Sequence, residues 1–126
     1  MVALVYIAKA ENGVPVMSTE IAKNEKMPQR FLENILIELK KSGILASKLG
    51  KSGGYYLIKK PEEIKLADIV RHFEGAISLL YCVSENQYKP CEFCKDEAIF
   101  KIRVVFKEIK DATFGILDKT TLKDLM

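Results

Sequence analysis

Most apolar positions along this chain fall at helical spacing, interrupted by two short strand-like runs. Val2, Leu4, Val5 and Ala8 predict a short, largely buried helix over residues 2–10, closed by Glu11-Asn12-Gly13 and followed by an extended Val14-Pro15-Val16. Ser18 is placed as an N-cap whose hydroxyl takes an orphan amide, so a short helix is expected from Thr19 to about Lys23. Asn24-Glu25-Lys26 then makes a turn, and Pro28 suits a first helical position, where a missing N–H costs nothing. Phe31, Leu32, Ile35, Leu36 and Leu39 draw one apolar stripe along the next helix, opposite Gln29, Arg30, Glu33, Asn34 and Lys40. Lys40 and Lys41 complement the C-terminal dipole of that helix, and Gly43 is a good residue to end it.

Ile44–Ser47 and Tyr55–Ile58 read as two strands around a loop, residues 48–54, that carries three glycines and two lysines. Pro61 closes this hairpin, and Leu66, Ile69, Val70 and Phe73 mark one face of a helix over Leu66–Glu74, stopped by Gly75. An apolar stretch over 76–83 and a polar one over 84–93 with Pro90 lead to a long helix. There Ile99, Ile102, Phe106, Ile109, Thr113 and Ile116 recur at alternating steps of three and four, a heptad seam flanked by Val105 and Ala112. A seam of that length exceeds what a small domain needs for its own core. It is therefore read as a dimerisation helix around 95–117, the alternative being a helix packed on its own domain.

The order of elements is that of a winged helix-turn-helix. The expected fold is mainly α with a small β-wing, residues 1–75 forming the DNA-binding domain and 76–126 a cysteine-containing loop and the dimerisation helix. Charge supports the division. Residues 1–60 hold ten Lys/Arg against five Asp/Glu, whereas residues 61–126 hold ten against twelve. A basic N-terminal half suits a polyanion, because contacts to phosphates release condensed counterions. No apolar run is long enough to span a bilayer and the N-terminus lacks the pattern of a signal peptide, so a cytoplasmic location is expected. An enzyme is not expected: there is one histidine, no nucleophile–His pair, and Gly50-Lys51-Ser52 is too short for a phosphate-binding loop.

These elements carry a more specific pattern. The blocks Ala3–Ala8, Ser18–Ala22, Phe31–Leu36, Leu39–Leu45, Gly50–Tyr55, Pro61–Val70, Phe73–Gly75 and Thr121–Leu125, in that order, resemble the Rrf2 family of bacterial transcription regulators. The resemblance implies a homodimer with swapped long helices on a roughly palindromic double-stranded DNA operator. It implies DNA contacts from Pro28, Gln29, Arg30, Glu33 and Asn34 on the recognition helix, from Ser18 and Thr19 ahead of it, and from Lys48, Lys51, Ser52 and Gly53 in the wing. Glu33 would accept from a cytosine amino group, and Arg30 would reach a guanine or a phosphate. Some members carry an arginine just before the first glycine of the wing; here that position is Leu49, which favours backbone contact by Lys48 and Lys51 over minor-groove reading.

Three cysteines, Cys82, Cys91 and Cys94, are an odd number in a chain with no export signal, which argues against a disulfide framework, and their clustering points to metal ligation or thiol chemistry. Cluster-binding members of the family hold iron–sulfur groups with three cysteines in this region, which implies a [2Fe–2S] or [4Fe–4S] cluster here. The C-x8-C-x2-C spacing departs from the family's more even one. The family's fourth ligand is a histidine three residues beyond the third cysteine, a position held here by Glu97, or an acidic residue near the N-terminus, which would fall before residue 1. Glu97 is the candidate fourth ligand, and His72 is read as a surface or interface residue. A metal-free thiol switch, zinc, buried cysteines without a ligand, and a winged-helix interaction module that does not bind DNA stand as the alternatives.

Overall fold

A computed structural model describes residues 1–11, 13–75, 77–79, 83–84 and 97–126, with backbone alone for 97–100. Among the described residues, five α-helices, α1 (Val2–Lys9), α2 (Ser18–Asn24), α3 (Gln29–Lys41), α4 (Leu66–Glu74) and α5 (Glu97–Lys119), accompany an antiparallel pair, β1 (Leu45–Lys48) and β2 (Gly54–Leu57). The fold is the expected winged helix-turn-helix arrangement with a long C-terminal helix. The chain separates into two compact units, residues 1–64 with 121–126, and residues 65–120.

The first unit is built on three helices and the hairpin. α3 packs on α2 and on β1, and α1 packs on β2. Its core takes Leu4 and Ile7 from α1, Ile21 from α2, Leu32, Leu36 and Leu39 from α3, and Leu45 from β1. Several boundaries differ from the sequence reading. Ser18 is not the N-cap: Met17 is, and Ser18 is the first residue of α2, where its hydroxyl faces α3 instead of a local amide. Pro28 caps α3 from outside, because its ψ of 124° is extended, so the helix starts one residue later. Both strands are displaced by one residue along the loop, with Lys48 paired to Gly54. Phe31 leaves the buried stripe: it is 58% exposed, beside a Leu32 that is fully covered.

The C-terminal ends of α2 and α3 solve one problem with different residues. After α3, Gly43 at φ 78° lets Ile44 N–H donate to Leu39 O at 3.2 Å and Gly43 N–H to Lys40 O at 3.1 Å. This is the pattern by which a left-handed residue satisfies the last carbonyls of a helix. After α2, Met27 N–H reaches Ala22 O at 3.0 Å in the same way, but the left-handed residue is Lys26, at φ 52°. A side chain there crowds the backbone, which glycine avoids.

The C-terminal residues 121–126 belong to the first unit. Leu122 is buried and its amide donates to Ile64 O at 2.9 Å, while Lys123 Nζ lies 2.9 Å from the Glu62 carboxylate. The hydrogen bond from Lys123 holds the Glu62 carboxyl below its usual range, and bonds from Thr121 do the same for Asp124.

In the second unit α4 and α5 pack together, with Arg71 over the Phe114 ring at 4.9 Å and Lys65 paired to Asp118 at 3.1 Å. Leu66 N–H donates to Thr120 O at 2.9 Å, tying the start of α4 to the end of α5. Phe73, assigned from the sequence to the apolar face of α4, is exposed, and α5 runs two residues beyond the expected 117. Ile102, Val105, Ile109 and Ile116 of the seam stay exposed, Ile116 at 68%.

Replacing Lys26 by glycine is expected to raise stability by roughly 0.5–1 kcal/mol, the left-handed strain removed less the entropy glycine adds to the unfolded chain. Lys26→Ile should lower it. Urea unfolding of the three proteins, compared at constant slope, checks both signs.

Candidate nucleic-acid interface

The outward face of α3 follows from its inward one. Leu32, Leu36 and Leu39 are at most 1% exposed and lie along one side, so Gln29, Arg30 and Asn34 are turned to solvent in the first two turns. Arg30 and Asn34, four apart, share a surface. Pro28 is exposed just ahead of them and Thr19 is exposed on α2.

Glu33 sits half-buried at the edge of this face. Its Oε1 accepts from Gln29 Nε2 at 3.0 Å and, more loosely, from Ser18 Oγ at 3.5 Å. The expected contacts Ser18, Gln29 and Glu33 are therefore one hydrogen-bonded group bridging α2 and α3. An ionised carboxylate accepts at several lone pairs, so two bonds to one oxygen fix its orientation and leave capacity for another donor. On the far side of α2, the Tyr6 hydroxyl donates to Glu20 Oε1 at 2.9 Å and accepts from the Asn24 amide, tying α2 to α1.

The wing is aligned with α3 by a second brace, Lys40 Nζ donating to Ser47 Oγ at 2.7 Å. Its connection runs from Leu49 to Gly53, with Lys48, Leu49, Lys51 and Ser52 exposed and Leu49 95% accessible at the tip. Gly53 N–H donates to Gly50 O at 3.0 Å, so that amide is already engaged inside the turn. Gly53 itself is buried: a Cβ there would lie 2.1 Å from Lys48 O. Gly54, at φ 144°, would put a Cβ 2.3 Å from Val16 O, since the Val16–Tyr55 bridge (2.8 Å in both directions) lays the 14–16 segment against β2. What these two glycines supply is close backbone approach. That role had no signal beyond the glycine-rich spacing itself.

Cys82, Cys91 and Cys94 lie outside the described residues. Glu97 is the first residue of α5, and its side chain is likewise outside them. Among the described residues no group of three His, Cys, Asp or Glu side chains is arranged to hold a metal. His72 lies on α4 with its ring edge-on to Phe73, centroids 5.2 Å apart. No helix among the described residues is long and apolar enough to cross a membrane.

Gly54→Ala is expected to cost about 2 kcal/mol or more, because both the φ and the contact with Val16 O must give. Thermal unfolding measures it; a shift within error of wild type would show that the Val16–Tyr55 bridge is dispensable.

Comparison with known proteins places these features in context. The profile of the Rrf2 family, described as an iron-dependent transcriptional regulator, matches residues 1–126. An rrf2-like HTH-type transcriptional regulator of Rhodobacter capsulatus is 43% identical over 119 residues, covering 94% of this chain and 79% of its own. Among solved structures, Bacillus subtilis CymR, described as the global cysteine regulator, superposes with a TM-score of 0.78 at 32% identity over 98% of this chain and 87% of that one. IscR of T. potens gives 0.73 at 26% identity, over 98% of this chain and 77% of that one.

Proposed function

The chain belongs to the Rrf2 family, and from that premise we propose that it is a homodimeric transcription regulator that reads a double-stranded operator with α3 and answers to a group held by its cysteines. The observation that carries the DNA reading is the outward set Gln29, Arg30 and Asn34 on the first two turns of α3, braced by the Ser18–Glu33–Gln29 group. In helix-turn-helix proteins the first turns of the second helix meet base edges in the major groove. Arg30 pairs with a guanine or a phosphate, Asn34 and Gln29 suit adenine, and Glu33 accepts from a cytosine amino group. Pro28 precedes the helix where it meets the groove. Thr19 and Ser18 offer hydroxyls to the backbone, and Lys48, Lys51 and Ser52 follow phosphates beside the turn that Gly53 closes.

The exposed seam of α5 supports the dimer. Ile102, Val105, Ile109 and Ile116 lie along a 23-residue helix whose other face, through Phe114 and the buried Lys110, is occupied within its own unit. A second copy presenting the same seam would cover them. For the sensing half, three thiolates and the Glu97 carboxylate form a donor set whose chemistry suits an iron–sulfur cluster. When bound, the cluster would supply a redox- and ligand-sensitive charge; Cys82, Cys91 and Cys94 would hold it, with Glu97 completing the set.

DNA binding is tested by fluorescence anisotropy on the protein's own upstream DNA at two or more salt concentrations, alongside sedimentation for the mass. A dimer with a steep salt dependence is expected. Lys48→Ala with Lys51→Ala should flatten the slope of log K against log[salt] by about 0.9 for each phosphate that is no longer neutralised. Binding that does not respond to salt would instead identify a winged-helix interaction module.

Cluster binding is read from anaerobically purified protein by its visible absorbance, iron and sulfide content. A coloured protein, bleached by Cys91→Ala, is expected. A colourless, iron-free protein after reconstitution would leave oxidation of the thiols as the switch.

A further inference from the structure

Phe31 is the one large side chain of α3 whose position contradicts the pattern that predicted it. At ~100° per residue, Leu32, Leu36 and Leu39 fall in a narrow sector, whereas Phe31 lies a full ~100° from Leu32. The outcome is a phenyl ring 58% exposed on the first turn of α3, between Arg30 and the buried Leu32. Its surface neighbours three and four residues away are Pro28 and Asn34, both exposed, and Met27 and Ile35, both half-buried. The other exposed apolar residue on α3, Ile37, is six residues on and does not share its face. The ring thus stands out from a small apolar rim formed with Met27, Pro28 and Ile35, next to the hydrogen-bonding side chain of Asn34.

On the DNA-binding reading above, on which this inference rests, the position of Phe31 defines what it meets. The first turn of a recognition helix faces base edges, and the thymine C5-methyl is the apolar group those edges present in the major groove. We propose that Phe31 is a specificity-determining residue that packs on a thymine methyl in each half-site, beside the base edge contacted by Asn34. The contact excludes water from the ring and from the methyl together, and cytosine at that position offers a polar amino group and no methyl. Phe31 therefore adds an apolar element to an otherwise polar reading face.

The test removes the methyl and nothing else. Duplexes enriched by the wild-type protein from a random-sequence pool are resynthesised with deoxyuridine in place of one thymine at a time. One thymine per half-site is expected to weaken wild-type binding roughly fourfold on replacement, the effect of one methyl-sized apolar group. Phe31→Ala should bind the thymine duplex more weakly and be indifferent to that replacement, the signature of a coupled pair in a double-mutant cycle. Phe31→Leu, which keeps an apolar side chain, should retain part of the sensitivity and serves the same cycle if the alanine variant is poorly folded by circular dichroism. Wild-type binding unaffected by deoxyuridine at every position overturns the inference and leaves the DNA-binding reading intact, as does undiminished methyl sensitivity in both variants. A pool that yields no enriched duplex overturns both.

Discussion

Burial of one row of leucines governs what α3 can present. Leu32, Leu36 and Leu39 are sealed against α2 and β1, each contributing roughly 2 kcal/mol of apolar transfer. A 13-residue helix is marginal by itself, so this packing, more than helix propensity, keeps it formed. It also fixes rotation about the helix axis. Turning α3 by one residue would drive Glu38, or Glu33 and Lys40, toward the core, at a cost far above that of any surface contact. The glycine at 43 then turns the chain directly into the hairpin, and the Lys40–Ser47 bond holds the hairpin to the helix. The outward face of α3 and the hairpin are therefore oriented from the same buried row.

Much of this was legible in the sequence because local rules and tertiary packing agree. The leucine row, the Gly43 and Gly75 stops, the Leu66–Glu74 helix and the glycine-rich connection all stand where spacing and turn chemistry put them. The disagreements share a physical cause. Ser18 has the composition of an N-cap, but a partner across the turn, Glu33, competes for its hydroxyl. Phe31 has the composition of a core residue, yet sits at the rim of the stripe, where periodicity does not distinguish buried from exposed. The left-handed Lys26 could not be read locally, because lysine gives no turn signal and the backbone there is set by the approach of two helices. The Thr121–Leu125 block was visible as family pattern; that Leu122 is a core residue of the first unit was not, since long-range burial leaves no local period.

The wing illustrates how backbone and side chains divide a task. Gly53 and Gly54 are fixed by carbonyls they must not strike, Lys48 O and Val16 O, while Lys48, Leu49, Lys51 and Ser52 have solvated side chains. Such a loop tolerates change at its tip and not at its base. Leu49, 95% accessible, can change without disturbing that base.

The return of residues 121–126 to the first unit has a consequence for how the molecule is made. During synthesis the hairpin and the three N-terminal helices emerge first, but the place of Leu122 is not filled, nor the Ile64 carbonyl partnered by its amide, until residues 121–126 have been made. The first unit is thus completed only after α4 and α5 have been translated. A chain shortened before Leu122 would carry α3 on an unfinished core.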